Sequence, residues 1–393
     1  MYWKYLRLNE MLDCKFGLMR VPNPQQGIYI HVPFCHHACS YCNFFFVTGK
    51  RDHGEFLDAA IQEIEDSRTF FGDRSLINTL YFGGGTPSRL KASEIERILN
   101  KVQSTFVLSS DAEITLEANP EDISQEILSI WHNMGVNRIS LGIQSFNDKL
   151  LALMRRAHNG EDAQKAAALI CESPFENYSF DLIIGQIFQD LEMLDKDLHL
   201  LKSFKPPHLS TYLLTVEEKT HLYKEIQRKR LPDVKDTTQE EHYLRLMEWA
   251  RENQYEHYET SSFAIEGFQA KHNSNYWNHS SYLGIGPSAH SFDGKKRYWN
   301  TQNFKEYINE GVLARNNENL SRIDIINERI MLGLRQSKGI NLNHLGLDAK
   351  EMQIMLERIN GVTQHHIHKE GMNIKLSTQG KLYADAIAAT LFL

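Results

Sequence analysis

The chain has 393 residues, of which 41% are hydrophobic, so we expect one large domain with an appendage, or two domains. It carries a net charge of −7 with scattered lysines and arginines, so we expect no nucleic-acid partner. Its five cysteines, an odd number, argue against a disulfide framework. No apolar run reaches the ~20 residues of a membrane-spanning helix, and the opening MYWKYLRLNEMLDCKFG lacks the apolar stretch of a secretory signal. We therefore expect a cytoplasmic protein with no membrane span. Its composition still permits peripheral membrane contact.

Residues 1–26 form an N-terminal extension without a predicted role. From about residue 28 to 215, short β-rich runs alternate with stretches of helical period, a pattern typical of repeated βα units and a parallel sheet. The six predicted strands are, in chain order, GIYIHV, INTLYF, AEITLEA, NRISLGI, YSFDLII and HLSTYLL. Apolar residues at i, i+3, i+4 and i+7 predict helices over EFLDAAIQEIEDSRTFF, ASEIERILNKVQSTF, SQEILSIWHNMG and EDAQKAAALICES. Six right-handed units predict an α/β fold with a partial (β/α)6 barrel at residues 27–215, whose chemistry lies at the carboxyl ends of its strands.

Three cysteines follow the first predicted strand in YIHVPFCHHACSYCNFFF. The spacing C-x3-C-x2-C is formed by Cys35, Cys39 and Cys42. A short loop lets three thiolates converge on one iron-sulfur cluster, and because a cubane has four irons, one iron is left open to chelate a bound molecule. The alternatives are thiols without a ligand role, or a zinc site completed by His31, His36 or His37. Cys14 and Cys171 stand alone and are interpreted as ordinary small residues.

A glycine-rich run, YFGGGTPS, follows the second predicted strand. Consecutive glycines let backbone N–H groups turn toward a carboxylate, although such a run by itself is often only a turn. The next three strand ends each carry a polar residue, namely Glu117, Gln144 and Asp181. A carboxylate at such a point can accept hydrogen bonds from ribose hydroxyls, whereas an isolated buried carboxylate is costly. The pattern therefore indicates one shared ligand.

The remaining chain divides into two predicted regions. Residues 216–317 begin with a charged connection, VEEKTHLYKEIQRKRLPDVKDT, continue with a predicted helix through EEHYLRLMEWAREN, and contain the segment KHNSNYW. Residues 318–393 carry predicted helices over NERIMLGLRQSKG and KLYADAIAATLF. We interpret this last region as a small, mainly helical C-terminal subdomain.

The cysteine loop after the first strand resembles that of the radical SAM superfamily. In that superfamily the loop carries a [4Fe-4S] cluster, which cleaves S-adenosylmethionine and yields a 5′-deoxyadenosyl radical. The resemblance implies that the methionine moiety of this cofactor meets Gly84, Gly85 and Thr86. It also places Arg156, a residue suited to bidentate pairing, at the cofactor's carboxylate. We assign Tyr29 and Tyr41, on the strand and loop that carry the cysteines, to the same cofactor site.

Further matches between residues 27 and 292 resemble the oxygen-independent coproporphyrinogen III dehydrogenase group. They include GGGTPS, EANP, GVNRISLGIQSFND, YLLTVEEKT and KHNSNYWNHSSYLGIGPSAHSF. This group contains true oxidases and HemW-type haem chaperones. True oxidases carry a fourth cysteine where this chain has Phe44, and HNSNYW matches the H-N-x-x-Y-W motif of HemW-like proteins, so both features favour the chaperone. The chain departs from related sequences at one place, after the fifth predicted strand. Related sequences usually read G-L-P-x-Q-T there, whereas here Gly185 is followed by Gln186, Ile187, Phe188 and Gln189.

The resemblance implies a protein that binds haem for delivery to recipient haemoproteins, holds a [4Fe-4S] cluster and S-adenosylmethionine, and takes electrons from a donor such as a flavodoxin or ferredoxin. His272 is the leading candidate for an axial ligand of haem iron, and Tyr276 and Trp277 can cover a porphyrin face. A histidine at this position fits a structural role equally well. The alternatives are oxygen-independent oxidation of coproporphyrinogen III, another radical SAM reaction, and a zinc-dependent binding protein.

Overall fold

The computed structural model describes residues 25–49, 53–72 and 75–393. Nearly all of the predicted N-terminal extension, with Cys14, lies outside these residues. Within them, no helix combines the length and the apolar character needed to cross a membrane.

Seventeen strands are formed in the described part of the chain: β1 (Gln26–Val32), β2 (Phe34–Cys35), β3 (Val47–Thr48), β4 (Leu76–Gly84), β5 (Val107–Ala118), β6 (Arg138–Gln144), β7 (Asn177–Ile184), β8 (His208–Leu213), β9 (Glu256–Glu259), β10 (Ser262–Ala264), β11 (Tyr282–Ile285), β12 (His290–Phe292), β13 (Lys296–Trp299), β14 (Asn316–Asn319), β15 (Ile340–Asn341), β16 (Ile367–Glu370) and β17 (Asn373–Leu376).

Thirteen α-helices connect them in the same described ranges: α1 (Gly54–Asp66), α2 (Ala92–Thr105), α3 (Gln125–Asn133), α4 (Asp148–Met154), α5 (Gly160–Cys171), α6 (Leu191–Phe204), α7 (His221–Gln227), α8 (Asp236–Glu252), α9 (Lys271–Trp277), α10 (Phe304–Glu310), α11 (Arg322–Leu334), α12 (Ala349–Gly361) and α13 (Ala384–Leu391).

Twelve of the strands form one sheet in the order β14-β13-β12-β11-β1-β4-β5-β6-β7-β8-β10-β9. The strands from β11 to β8 are parallel to one another, and the strands at both edges are antiparallel. The six predicted strands are confirmed as β1 and β4 to β8, and the predicted partial barrel with them. The seventh parallel strand, β11, was not predicted; it comes from the region that follows the H-N-x-x-Y-W motif.

The interior of this sheet is built as the sequence pattern predicts. Ile28, Ile30 and Val32 of β1 are fully buried because helices cover the sheet on one side and the barrel interior closes it on the other. In α2 the buried residues Ile95 and Val102 lie two turns apart on one face, which packs on the sheet. Each such aliphatic side chain contributes roughly 1.5–3 kcal/mol when it leaves water.

The C-terminal residues have their own hydrophobic core. Its members lie between Ile326 and Leu391, on α11, α12, α13 and a three-stranded sheet in the order β15-β17-β16. The predicted, mainly helical subdomain is confirmed, with this small sheet as an addition. By contrast, residues 216–317 share the core of the barrel, where Tyr243, Phe263 and Leu283 are buried with the barrel residues.

Candidate functional site

A cavity of about 450 Å³ opens at the carboxyl ends of the parallel strands. It brings together most of the residues that the sequence assigns to cluster and cofactor. Those that line it are Cys35, Cys39, Tyr41, Cys42, Gly84, Gly85, Thr86, Glu117, Gln144, Arg156 and Asp181. Tyr29, His272, Tyr276 and Trp277 do not line it and lie elsewhere in the fold.

The cysteine loop is held in place by Ser40, a residue that no motif singled out. Its backbone N–H donates to the carbonyl of Met154 (3.0 Å), and its hydroxyl donates to the carbonyl of Leu153 (2.9 Å), both in α4. Its own carbonyl accepts the N–H of Leu222 in α7 (2.7 Å). Because Ser40 follows Cys39 directly, these contacts fix the loop between two helices.

Two cysteine sulfurs accept hydrogen bonds from outside the loop. The Thr86 hydroxyl donates to Cys35 Sγ and Arg156 Nη1 donates to Cys39 Sγ, each at 3.6 Å. Burial raises the pKa of the Cys35 thiol, and it raises that of Cys42 to about 11. Thiols in such an environment keep their protons until a metal ion binds and displaces them to solvent, and the N–H and O–H donors would then share the thiolate charge.

The described residues do not assemble a single zinc site. In the described part of the chain no group of three or more His, Cys, Asp or Glu side chains is close enough to hold one metal ion. Zinc needs its ligands at about 2.0–2.3 Å from one point, whereas the cysteines of a cubane bind separate irons. His31 is also engaged, since its Nε2 is 2.9 Å from the Phe45 carbonyl and its Nδ1 is 3.3 Å from the Tyr29 hydroxyl.

The glycine run brings the backbone against the cysteine loop. Gly84 has φ +108°, and a Cβ atom there would lie 2.7 Å from the His31 ring. A Cβ on Gly85 would lie 3.0 Å from Cys35 Sγ, and the Gly85 N–H donates to the carbonyl of Val32 (2.8 Å). Only glycine allows this approach, so the run is more than a turn.

Glu117 and Asp181, two of the carboxylates that line the cavity, occupy different hydrogen-bond environments. Glu117 accepts from the Tyr81 hydroxyl (2.7 Å) and from the Gly84 N–H (3.2 Å), and burial, with a smaller contribution from the charge of Asp181, raises its pKa to about 7. Asp181 accepts from Ser140 (2.8 Å) and from Ser179 (2.9 Å), while burial raises its pKa as well. These residues can therefore accept hydrogen bonds from a ligand that supplies hydroxyl donors.

Arg156 contacts a set of acceptors that the sequence did not reveal. Its Nη2 donates to Asn119 Oδ1 (2.7 Å) and to the carbonyl of Gly142 (3.0 Å). Its Nε is buried and has no hydrogen-bond partner. A buried donor without a partner is costly, so a ligand carboxylate would complete the hydrogen bonding of this arginine.

Gln144, at the end of β6, has φ +66°, a conformation uncommon for residues other than glycine.

Several cavity residues were missed by the sequence analysis. Asn119 stands two positions after Glu117 and links Arg156 to Thr86, because its Nδ2 donates to Thr86 Oγ1 (3.4 Å). Tyr212 lines the wall near the end of β8. Phe44, which the sequence analysis used only to tell chaperones from oxidases, also lines the cavity and has 67% of its surface exposed. The strand-end rule that found Asp181 would also have pointed to Tyr212, one strand further along the sheet.

The histidine of the H-N-x-x-Y-W motif is buried, with 2% of its surface exposed. Its Nδ1 is 2.8 Å from Thr79 Oγ1 and its Nε2 is 2.9 Å from the Tyr276 hydroxyl. Burial lowers the pKa of His272 to about 3, so the ring is neutral and donates through one nitrogen and accepts through the other. Neither nitrogen is free for iron in this arrangement, and ligation requires one of these hydrogen bonds to break.

Tyr29 and Tyr276 lie next to this histidine, whereas Trp277 contacts the C-terminal subdomain. The Tyr29 ring stacks on Tyr81 with centroids 6.0 Å apart, so Tyr29 lies behind the cavity wall rather than in it. Trp277 faces the C-terminal subdomain, where the Arg335 guanidinium lies 5.1 Å from the centre of its ring. The Gln336 side chain donates to the Trp277 carbonyl (2.7 Å).

The divergent loop after β7 forms a tight turn. Gln186 Nε2 donates to the carbonyl of Ile183 (2.7 Å), and the Gln186 N–H donates to Gln189 Oε1 (3.2 Å). Gly185 and Phe188 both have positive φ, at +66° and +65°, and the Phe188 side chain is exposed. The two glutamines thus close the turn through their own side chains.

Known proteins resemble this chain in sequence and in fold. The profile of the radical SAM superfamily matches residues 29–201. The heme chaperone HemW of Bacillus subtilis is 32% identical over 378 residues, which cover 92% of this chain and 98% of that protein. The heme chaperone HemW of Lactococcus lactis is 34% identical over 326 residues, covering 82% and 84% of the two chains.

Among solved structures, this chain superposes on the coproporphyrinogen III oxidase HemN of Escherichia coli, a radical SAM enzyme, with a TM-score of 0.81. The two sequences are 23% identical, and the match covers 95% of this chain and 91% of the HemN chain. That likeness shows the fold alone. The near-complete match to HemW proteins at 30% identity or more shows the family. This chain belongs to the HemW family of the radical SAM superfamily.

Proposed function

We propose that this protein is a cytoplasmic haem chaperone, which binds haem and delivers it to recipient haemoproteins. The observation that carries the proposal is the match to a heme chaperone over 98% of that protein's length, which extends beyond the barrel through the H-N-x-x-Y-W motif and into the C-terminal subdomain. Phe44, at the place of the oxidases' fourth cysteine, supports the same choice. Haem, the recipient haemoproteins and a flavodoxin- or ferredoxin-like electron donor are the proposed partners.

We propose that Cys35, Cys39 and Cys42 hold a [4Fe-4S] cluster through three of its irons. Both this cluster and S-adenosylmethionine go with membership of the radical SAM superfamily. Bound there and reduced, the cluster would supply the one-electron chemistry for reductive cleavage of S-adenosylmethionine. The structure supports these ligands by their common position at the cavity and by the donors that Arg156 and Thr86 present to the sulfurs.

The chain's own side chains would orient the cofactor in this cavity. Arg156, with an unpartnered Nε, would pair with the carboxylate of the methionine moiety, and the close backbone of Gly84 and Gly85 would let that moiety approach. Glu117 and Asp181 would accept hydrogen bonds from hydroxyl groups. Phe44 and the other apolar side chains at the mouth would reduce the access of water to the cluster.

We propose the motif helix α9 as the haem site, with His272 as the axial ligand and Tyr276 and Trp277 as cover for the porphyrin. Because the imidazole is neutral, its nitrogen has the lone pair that iron needs. The Tyr276 hydroxyl occupies Nε2, so loading of haem would displace this tyrosine from the histidine. The freed phenol ring would then be available to pack on the porphyrin.

We retain the proposed division of the chain into an extension (1–26), a barrel (27–215), a motif region (216–317) and a C-terminal subdomain (318–393). The separate core between Ile326 and Leu391 supports the last boundary. The motif region is proposed as a functional unit rather than an independently packed one, since its buried residues join the barrel core.

The chaperone proposal is tested against oxidase activity with anaerobically reconstituted protein. We expect it to bind haem and to pass it to an apo-haemoprotein, as followed by the haem absorption spectrum, and to convert no coproporphyrinogen III when cluster, S-adenosylmethionine and a reductant are all present. Decarboxylation with catalytic turnover would overturn the assignment and favour the oxidase. In the same assay, replacement of His272 by alanine should shift the haem spectrum, whereas replacement of Trp277 should weaken haem retention without this shift.

A further inference from the structure

Tyr81 occupies the space between the motif helix and the cavity. It lies on β4 and opens the run YFGGGTPS, in which the sequence analysis gave a role only to the glycines and Thr86. Its ring stacks on the His272 ring with centroids 5.0 Å apart and an interplanar angle of 27°. Its hydroxyl donates to Glu117 Oε1 at 2.7 Å. One side chain therefore contacts both the motif histidine and a carboxylate that lines the cavity.

The partners at both ends of this contact are fixed. The His272 ring is held through Nδ1 by Thr79 and through Nε2 by Tyr276, so it forms a defined wall for the tyrosine ring. At the other end, the second oxygen of Glu117 accepts the Gly84 N–H at 3.2 Å. Movement of the His272 ring would consequently shift the tyrosine hydroxyl and the carboxylate that it holds.

We propose that Tyr81 is a positioning residue that orients Glu117 for the ribose hydroxyls of S-adenosylmethionine, and that His272 in turn positions Tyr81, so that binding at the motif and binding in the cavity are energetically linked. The inference rests on the proposed function, because it takes Glu117 as a cofactor ligand. It adds the residue that connects the two sites. By thermodynamic reciprocity, a ligand that displaces His272 changes the affinity of the cavity, and the cofactor changes the affinity of the motif by the same factor.

The electrostatics of Glu117 give this proposal a signature in the pH dependence of binding. The titratable groups that face its carboxyl group from the packed elements are Tyr29, Tyr81, Asp181, Tyr212 and Tyr276. Burial and Asp181 raise the pKa of Glu117 to about 7, and the hydrogen bond from Tyr81 opposes this rise. The ionised carboxylate is the form that accepts two hydroxyl donors, so affinity should fall as the pH falls through the pKa. Loss of the tyrosine hydroxyl raises that pKa further, so the fall should begin at a higher pH.

The first test is the Tyr81→Phe variant, which removes the hydroxyl and keeps the ring. Binding of S-adenosylmethionine to the full, cluster-reconstituted chain is measured by calorimetry between pH 6 and 9. We expect affinity at pH 7 to fall by about two- to tenfold, as for the loss of one hydrogen bond, and the midpoint of the pH profile to move upward. The control is Tyr255→Phe, which removes a hydroxyl that donates to the Pro206 carbonyl away from the cavity, and should leave both quantities unchanged.

The second test is a double-mutant cycle with His272. Replacement of His272 by alanine removes the stacked ring and should weaken cofactor binding when Tyr81 is present, but should have little effect in the Tyr81→Phe background. His272→Phe restores a ring at this position and should recover much of the affinity for S-adenosylmethionine. This variant therefore separates loss of the stacked ring from misfolding of the alanine variant. Additive effects, or an unchanged affinity and pH profile in Tyr81→Phe, would overturn the inference. Failure of the unmodified chain to bind S-adenosylmethionine would overturn the proposed function together with it.

Discussion

Arg156 has two tasks at the candidate site that its geometry makes compatible. One terminal nitrogen, Nη1, donates to the Cys39 sulfur, and the other, Nη2, donates to Asn119 and to the Gly142 carbonyl. The remaining nitrogen, Nε, is buried without a partner. A guanidinium is planar and rigid, so the contact with the sulfur fixes the direction in which Nε points. The same residue can thus stabilise a thiolate and receive a carboxylate.

The cysteine assignment leads to a prediction about metal content. Replacement of Cys35, Cys39 or Cys42 by alanine should abolish the cluster, because two thiolates do not retain it. Iron and acid-labile sulfide are measured after anaerobic reconstitution, and the unmodified chain should hold about four of each.

Cys171 provides the matched control for this prediction. It is an exposed cysteine at the end of α5, and it lines no part of the cavity. Its replacement by alanine should leave the iron and sulfide content unchanged. Stoichiometric zinc without sulfide in the unmodified chain would instead indicate a mononuclear site.

Sequence reasoning located most of the cavity because its residues obey a positional rule. Cys35 and Glu117 stand just beyond or at the carboxyl ends of buried parallel strands, and Asp181 lies three residues before the end of β7, so each is a polar residue that follows or interrupts an apolar run near a strand end. Tyr81 and Ser40 could not be found in this way. Tyr81 lies as close to the end of β4 as Asp181 does to the end of β7, but as an aromatic residue in an apolar run it looks like part of the core. Ser40 acts through hydrogen bonds to helices that are more than 100 residues away in sequence.

At the scale of elements, helix α9 begins without a side-chain cap of its own, because Ala270 occupies the capping position and has no side-chain acceptor. Glu113 of β5 takes over this role from another part of the chain. Its carboxylate accepts the N–H groups of Lys271 (3.0 Å) and His272 (2.9 Å). A negative charge at a helix N-terminus is favourable, and here it anchors the motif helix to the barrel.

Removal of this anchor should destabilise the protein. Glu113 also lies 3.9 Å from Arg138, and both side chains are 3% exposed. In Glu113→Ala, two N–H groups lose their acceptor and a buried arginine loses its counter-charge. We expect the free energy of unfolding, measured by urea denaturation followed by circular dichroism, to fall by about 3–5 kcal/mol.

The control for this prediction is Asp111, two residues earlier on the same strand. Its carboxylate also faces α9, at 3.7 Å from the Lys271 ammonium group, but it is 77% exposed. Water screens this pair, so Asp111→Ala should not change stability measurably. Equal effects of the two substitutions would show that Glu113 does not anchor the helix.

The elements that sequence predicted are those with a long, regular pattern. The six barrel strands and the helices between them alternate over nearly 190 residues. Because the alternation is regular, the assignment of each element supports the assignment of the elements next to it. The strand β11 has only four residues, Tyr282–Ile285, and reaches its place beside β1 from the far end of the barrel. Local periodicity contains no information about a partner some 250 residues away in sequence, so this strand was missed.

At the scale of the whole molecule, the motif helix lies between two hydrophobic cores. One side of α9 meets the barrel through His272 and Glu113, and the opposite side meets the C-terminal subdomain. The contacts on that second side are mainly polar. They join Trp277 to Arg335 and Gln336, Asn278 to Lys338, and His279 to Glu328. Such contacts can separate without exposing either core.

This arrangement makes the C-terminal subdomain a cover for the proposed haem site. For haem to pack on the face of the indole ring that Arg335 covers, Arg335 must leave that face, so the affinity for haem bound there includes the free energy of that opening. A partly buried cation–π contact contributes about 0.5–2 kcal/mol. In Arg335→Ala this contribution is lost and the open form becomes more populated.

Arg335→Ala should therefore bind haem more tightly than the unmodified chain, by about two- to thirtyfold, and should load it faster. Haem titration followed by absorbance gives the affinity, and quenching of tryptophan fluorescence after rapid mixing gives the rate. Arg329→Ala is the matched control, because Arg329 lies on α11, the helix that Arg335 directly follows, is exposed, and does not contact Trp277. Identical affinities and rates for Arg335→Ala, Arg329→Ala and the unmodified chain would show that haem does not enter beneath the C-terminal subdomain. Weaker binding in Arg335→Ala alone would show instead that this arginine helps to hold the haem rather than to cover its site.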